Sequence, residues 1–138
     1  MSINKLLVVE DEEPIGNLCV EFAGEFGFDA KWVQHPDEAW RLLEAETFHI
    51  VLTDTDFELP GRIKERGIGV QFARNLTCRG YQGAIIGMSA DHRRREQYIA
   101  TDACYFLSKP FKIAQFGRAL DVGKRYISTF ERHIEPIA

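Results

Sequence analysis

The sequence predicts an α/β fold: a doubly wound five-stranded parallel sheet with helices on both faces. Short apolar runs alternate with helical patterns along the 138 residues, which is typical of successive strand–helix units joined by right-handed crossovers. Three of the five runs are almost continuously apolar, as expected for parallel strands that are covered on both sides. The predicted strands are Lys5 to Val9, Phe28 to Val33, His49 to Thr53, Ala84 to Met88 and Ala103 to Leu107.

Apolar spacing and boundary residues predict the helices. In the first helix, apolar residues recur on one face between Ile15 and Phe26, Pro14 suits the first turn, and Gly27 suits the end. A proline also precedes the second helix and the last one, and a glycine closes the third. The apolar pattern is weakest in the fourth helix. These helices are predicted around Ala39 to Leu43, Val70 to Leu76, Asp91 to Thr101 and Ile113 to Phe130.

The composition is that of an ordinary globular chain and argues against several classes of protein. Charged residues make up 28% and the net charge is -4, which gives no indication of direct nucleic-acid binding. The three cysteines form no CxxC pair, which argues against a disulfide scaffold or a zinc ribbon. No apolar run approaches the roughly 20 residues of a membrane span, and the N-terminus lacks a signal-peptide pattern. We therefore expect a cytoplasmic protein without membrane insertion.

The length of the chain fits one domain over residues 1–138. Two segments within it lack a periodic pattern. The connection at 54–67 has 14 residues, which is long for a strand–helix loop, and a short C-terminal tail covers 130–138. Because the loop leaves directly from Asp54, we expect it to lie over or beside any site built around that residue.

Chemically reactive side chains follow four of the five predicted strands: Glu10 and Asp11, then Asp54, Ser89 and Lys109. Ligands of an open parallel sheet bind at the carboxyl ends of its strands, so we expect these five side chains to converge. Crowded carboxylates repel each other, and a hard divalent cation such as Mg²⁺ compensates them through oxygen ligands. A carboxylate is also a competent nucleophile toward phosphorus. Asp54 can then accept a phosphoryl group whose charge Ser89 and Lys109 stabilise.

The segments VVEDE at 8–12, HIVLTD at 49–54, GMSA at 87–90 and FLSKPF at 106–111 resemble the CheY-like receiver domain of two-component response regulators. The resemblance covers nearly the whole chain and implies a flavodoxin-like strand order, 2-1-3-4-5. It also implies that Asp54 is the phosphoacceptor and that Mg²⁺ is the cofactor. The implied roles of the other matched positions are metal ligation by Asp11, by Glu10 through water, by Asp54 and by the main-chain carbonyl of Asp56; catalysis by Ser89 and Lys109; and switching by Ser89 and Phe106.

The resemblance further implies a phosphorylation-dependent signalling switch that takes its phosphoryl group from a histidine kinase or a phosphotransfer protein. Such a receiver phosphorylates and slowly dephosphorylates itself, and it is not a turnover enzyme. In the implied switch, Ser89 moves toward the phosphoryl group and Phe106 turns inward. The face made by the fourth helix, fifth strand and fifth helix then changes its affinity for a downstream protein. Homodimerisation on phosphorylation is a further partner mode that the resemblance allows.

Three positions depart from the receiver pattern. Pro60 lies six residues past Asp54 rather than four, which lengthens the loop. Asp102 stands where glycine is common, and Phe106 lacks the hydroxyl of a tyrosine. None of these departures removes a residue of the phosphorylation chemistry.

Two alternatives remain open. Asp54 and Asp56 also fit the DxD motif of haloacid-dehalogenase-like phosphatases, with the first as nucleophile and the second as general acid. Those enzymes carry the motif on their first strand and need a further acidic pair after the lysine. This sequence has neither feature, so the receiver is favoured. The long loop suggests the other alternative, a non-phosphorylated pseudo-receiver that serves as a docking module.

Overall fold

The computed structural model describes residues 2–137 and contains one five-stranded parallel sheet in the order β2-β1-β3-β4-β5. This confirms the predicted fold class and strand order. The strands are β1 (Lys5–Val9), β2 (Asp29–Val33), β3 (Ile50–Thr53), β4 (Ala84–Ser89) and β5 (Tyr105–Ser108), and the helices are α1 (Glu13–Glu25), α2 (Pro36–Ala45), α3 (Ile68–Cys78), α4 (Arg94–Ile99) and α5 (Ile113–Thr129).

The central strands are buried because helices cover both faces of the sheet. Helices α1 and α5 contact each other on one face, while α2, α3 and α4 follow one another across the other face. Every residue of β3 and β4 is buried, whereas the edge strand β2 alternates between exposed and partly buried positions before it ends at the buried Val33. Burial on two sides requires a continuous apolar run, which explains the difference. Within residues 2–137, no helix combines the length and the apolar character that a bilayer crossing requires.

The fourth helix and fifth strand are both shorter than predicted. Strand β5 begins at Tyr105, two residues later than expected, and α4 has only six residues. Beyond the helix, Asp102 has a positive φ of 66°, and the Ala103 amide donates a hydrogen bond to the carbonyl of Tyr98. A left-handed residue of this kind terminates a helix, and aspartate is one of the non-glycine residues that adopt it more readily. This geometry explains why the predicted strand cannot start at Ala103.

The C-terminal tail, expected only as a short irregular segment, folds back against α2. Ile134 and Ile137 are buried, and the Ile137 amide donates a hydrogen bond to the Leu43 carbonyl at 2.8 Å. The guanidinium of Arg132 lies over the ring of Tyr126, 4.9 Å from its centroid. Apolar burial at the two isoleucines and this cation–π contact together hold the tail on the folded chain.

His49, immediately before β3, holds the start of β1 through its neutral ring. Its Nδ1 atom accepts hydrogen bonds from the backbone amides of Asn4 at 3.3 Å and Lys5 at 3.0 Å. Burial of the ring, together with the Lys5 charge, lowers the pKa of His49. A protonated Nδ1 cannot accept either bond, so His49 binds a proton more tightly in the unfolded chain than in the folded chain.

We expect this preference to make the folded chain less stable in acid. The stability that His49 contributes is complete above the unfolded-chain pKa of about 6.5 and is lost as the pH falls through the lower folded-chain pKa. The free energy of unfolding, measured in urea between about pH 7 and pH 5, should fall more steeply in the wild type than in His49→Asn, whose carbonyl oxygen can still accept. His133→Asn, at an exposed histidine, should keep the wild-type slope. Equal slopes in the wild type and His49→Asn would contradict this prediction.

Candidate functional site

The register of the sheet brings the predicted site residues to one edge of the molecule. Val9 at the end of β1 pairs with Thr53 of β3, and Thr53 pairs with Gly87 of β4. Strand β5 ends beside Ser89 in the same way. The residues at and beyond these strand ends therefore meet at the carboxyl edge. The pocket at this edge is lined by residues that include Asp11, Asp54, Asp56, Ser89 and Lys109.

Three carboxylates form the acidic centre of the site. Glu10, Asp11 and Asp54 place ligand oxygens within 4.8 Å of one another. Glu10 is fully buried, whereas Asp11 is partly exposed and borders the pocket together with the largely buried Asp54. Carboxylate oxygens are the hard ligands that Mg²⁺ prefers, so this donor set fits a divalent cation.

Lys109 supplies positive charge to the acidic centre. Its Nζ atom forms ion pairs with Glu10 and with Asp54, the latter at 3.1 Å. Burial opposes the ammonium charge, but the attraction of Asp54 and Glu10 outweighs it and raises the pKa of Lys109. Burial raises the pKa of Asp54 and, together with the Asp54 charge, raises the pKa of Glu10 to about 8. When all three carboxylates are ionised, which a bound cation favours, the single ammonium leaves two excess negative charges, and a divalent cation balances them.

Both predicted switch positions are buried. Ser89 lines the pocket, and its hydroxyl accepts a hydrogen bond from the Asp91 amide at 3.0 Å, which leaves the hydroxyl proton for an anion in the pocket. Phe106 is 6% exposed, and its ring centroid lies 6.0 Å from that of Tyr98. Phe106 is therefore largely covered by neighbouring side chains in this conformation, and its inward turn on phosphorylation stays a prediction.

The long loop forms a hairpin-like turn beside the pocket. Phe57 is buried and exchanges two backbone hydrogen bonds with Glu65, at 2.9 and 2.7 Å. The Glu65 carboxylate also contacts Nε2 of the buried His35 at 2.8 Å, next to α2. Glu58 and Lys64 of the loop line the pocket, so the loop lies beside the site, as we expected from its start at Asp54.

The loop also contacts the acidic centre directly. The Glu58 amide donates to Oδ2 of Asp11 at 2.7 Å, so the loop backbone orients that carboxylate. Asp56, near the start of the loop, contacts its end, because its Oδ1 atom accepts from the Gly67 amide at 2.7 Å. The same atom pairs with Arg94 of α4 at 3.1 Å. Asp56 thus holds the end of the loop and α4 together, which is a structural role. The phosphatase alternative, in which Asp56 is the general acid, instead needs this carboxylate to be directed at a leaving group.

Sequence reasoning missed two residues that support the site from behind. Oγ1 of Thr55 donates to the Met88 carbonyl at 2.9 Å, and the Tyr98 hydroxyl lies 2.8 Å from the same Thr55 oxygen. Tyr98 is fully buried, and its ring lies against Gly87, where a side chain would have no room. A glycine inside a buried strand marks a close approach of another group, and this is the one signal that the sequence carries.

Residues 6–121 match the family model described as the response regulator receiver domain. The fold is similar to that of the receiver domain of the Francisella response regulator 1452, at 21% identity and a TM-score of 0.73, covering 88% of this chain and 98% of that one. It is also similar to chemotaxis response regulator CheY4 of Vibrio cholerae, at 17% identity and a TM-score of 0.70, covering 87% and 98%. The beryllofluoride-activated NtrC4 receiver domain dimer matches at 21% identity and a TM-score of 0.75, covering 88% and 98%. No curated protein matches the chain.

Proposed function

This chain belongs to the family of response regulator receiver domains, which act in two-component phosphorelay signalling, and we propose that it is a phosphorylation-dependent switch with Asp54 as the phosphoacceptor. We further propose that residues 1–138 make up a single receiver domain. The observation that carries the proposal is the position of Asp54, which borders the pocket 3.1 Å from Lys109 and beside two further carboxylates. A nucleophile, a cation and a metal-binding donor set are thereby held together.

In the proposed transfer, an Asp54 carboxylate oxygen forms a bond to phosphorus as the P–N bond of a phosphohistidine breaks. The histidine belongs to a histidine kinase or a phosphotransfer protein. Its leaving nitrogen keeps the electron pair of the broken bond and takes up a proton. Lys109 balances negative charge on the phosphoryl oxygens, and the Ser89 hydroxyl donates a hydrogen bond to one of them.

The acidic centre is the proposed magnesium site. When bound, Mg²⁺ would neutralise charge on the phosphoryl oxygens and on the carboxylates. The partial exposure of Asp11 at the pocket supports its role as a direct ligand. Glu10 is buried and paired with Lys109, which supports a role through a water molecule. Asp54 and the main-chain carbonyl of Asp56 complete the proposed ligand set.

The proposed output face comprises residues 93–98 and 103–109, around α4 and β5 and next to α5. Arg95 lies over the Phe106 ring at 5.4 Å, and the neighbouring Ile99 is 62% exposed. A shift between two packings of this face, with Ser89 and Phe106 as the switch residues, would alter its affinity for a downstream protein. A second copy of the chain is a further proposed partner, since the similar NtrC4 receiver is a dimer when activated by beryllofluoride.

We expect beryllofluoride with Mg²⁺, which mimics the phosphoryl group, to shift the backbone amide resonances of residues 89, 93–98 and 103–109. The reason is that the mimic occupies the pocket and changes the packing behind it. The shifts should be absent in Asp54→Asn, which lacks the carboxylate that binds the mimic. They should persist in Asp29→Asn, which alters an exposed carboxylate at the opposite end of the sheet. Shifts confined to α2 and β2 would contradict the proposed output face.

A further inference from the structure

Helix α4 contacts the rest of the molecule through Arg94, which pairs with Asp56, through Arg95, which lies over Phe106, and through one buried side chain. The helix has six residues, and Tyr98 is the buried one among them. A helix this short is unstable alone, so its position depends on tertiary contacts. Tyr98 is therefore the residue of α4 that anchors the helix in the core.

The sequence provides a matching space for Tyr98 in strand β4. A Cβ atom at Gly87 would lie 2.4 Å from the Tyr98 ring, so only glycine allows the ring to rest on the strand at this point. The ring reaches through that space toward the end of β3, where the phosphoacceptor candidate lies. Gly87 and Tyr98 are thus complementary in shape, one giving the volume that the other occupies.

The Tyr98 hydroxyl ends at the backbone of the phosphoacceptor candidate. It lies 2.8 Å from Oγ1 of Thr55 and 3.3 Å from the carbonyl oxygen of Asp54. The single hydroxyl proton of Thr55 is donated to Met88, so Tyr98 is the donor in its pair with Thr55, and it shares its one proton between Thr55 and the more distant Asp54 carbonyl. Burial raises the pKa of Tyr98, which keeps this donor protonated at neutral pH.

Helix α3 also holds the backbone of Asp54 and Thr55, partly through the next peptide, whose carbonyl is that of Thr55. The Gly69 amide donates to the Thr55 carbonyl at 2.9 Å, and a Cβ atom at Gly69 would collide with the Asp54 carbonyl. The Asp54 carbonyl also accepts a hydrogen bond from the Thr53 hydroxyl at 2.8 Å, so Gly69, Thr53 and Tyr98 together surround this backbone. On its other edge the Tyr98 ring contacts Phe106 of β5. Tyr98 therefore connects the backbone behind the site to α4 and β5 of the proposed output face.

We propose that Tyr98 is a positioning residue that couples the Asp54–Thr55 peptide to helix α4, so that occupation of the phosphorylation pocket moves α4 through the Tyr98 hydroxyl. This inference rests on the proposed function. The coupling is reciprocal. If phosphorylation changes the free energy of partner binding at α4, then partner binding at α4 changes the free energy of phosphorylation by the same amount. The link is additional to Ser89 and Phe106, and it uses a hydroxyl that the pattern of receiver motifs does not contain.

The test is to compare the beryllofluoride response of the wild type with that of Tyr98→Phe, which keeps the ring and removes the hydroxyl. With Mg²⁺ and beryllofluoride, we expect amide shifts at residues 94–99 to be reduced about two- to tenfold in Tyr98→Phe. The shifts at residues 10–12 in the pocket should remain. Because the phenylalanine ring stays in place, ring-current effects on these amides change little.

A matched control separates coupling from a simple loss of stability. Tyr81→Phe also removes a buried hydroxyl that donates to a backbone carbonyl, that of Phe48 at 2.6 Å, but at the opposite end of the sheet. Tyr81→Phe should lower thermal stability and keep the full shifts at residues 94–99. Thr55→Val, which removes the acceptor of the Tyr98 hydroxyl, should reduce the α4 shifts as Tyr98→Phe does. The double variant should add little to either change.

The outcomes distinguish this inference from the proposed function. Unchanged α4 shifts in Tyr98→Phe, or an equal reduction in Tyr81→Phe, would overturn the coupling role while leaving phosphorylation of Asp54 in place. No response to beryllofluoride in the wild type would remove the proposed function, and the coupling role with it. Reduced α4 shifts confined to Tyr98→Phe and Thr55→Val would support the coupling.

Discussion

Replacing Asp54 with asparagine is expected to abolish phosphorylation of this chain. Asparagine keeps the size of the side chain, but its amide is not a nucleophile toward phosphorus. After incubation with Mg²⁺ and a small phosphodonor such as acetyl phosphate, intact-mass spectrometry should detect one phosphoryl adduct on the wild type and none on Asp54→Asn. A chelator of divalent cations should also prevent the adduct, because the unbalanced negative charge of the pocket then repels the donor.

The control for this prediction is Asp29→Asn, which alters an exposed aspartate at the start of β2 and should accept the phosphoryl group as the wild type does. An adduct that survives Asp54→Asn would place the phosphoacceptor elsewhere. Continuous release of phosphate from a generic phosphate ester would favour the phosphatase alternative. A wild type that takes no adduct from any donor would instead support the pseudo-receiver.

Removing the charge of Asp11 is expected to weaken Mg²⁺ binding more than removing the charge of Glu10. Asp11 borders the pocket, whereas Glu10 lies beneath it and is paired with Lys109. A direct ligand contributes more to metal affinity than a group acting through water, for which a loss of about 10- to 100-fold is typical. We therefore expect Asp11→Asn to lower the Mg²⁺ affinity by about 100-fold or more, and Glu10→Gln to lower it less than Asp11→Asn does. The Mg²⁺ affinities of both variants can be measured by following the backbone amide resonances of residues 10–12 during a titration with Mg²⁺.

The neighbouring Glu12 offers a matched control for the metal titration. It lines the same pocket and is exposed, but it lies outside the acidic centre. Glu12→Gln should bind Mg²⁺ nearly as tightly as the wild type, since an exposed charge that is not itself a ligand interacts only weakly in water. A greater loss in Glu10→Gln than in Asp11→Asn would assign direct ligation to Glu10 and contradict the proposed ligand set.

Local sequence pattern was sufficient to predict the sheet and the residues along its carboxyl edge. Strands β3 and β4 are continuous apolar runs because helices cover them on both faces. Asp54 directly follows β3, and a residue that follows a parallel strand lies at the carboxyl edge whatever the packing around it. The boundary between α4 and β5 was predicted less well, since the left-handed backbone of Asp102 has no apolar periodicity to mark it.

The sequence by itself determined which strands form the sheet and which carboxylates and lysine meet at its edge. Only the tertiary structure decided how the loop and α4 attach to them. The Glu58 amide forms a hydrogen bond with Asp11, which is 47 residues away in the sequence, and the Tyr98 hydroxyl forms one with Thr55, which is 43 residues away. A local pattern cannot specify such partners. They are selected when the chain packs, because a polar group that loses contact with water must find whichever donor or acceptor the fold brings within reach.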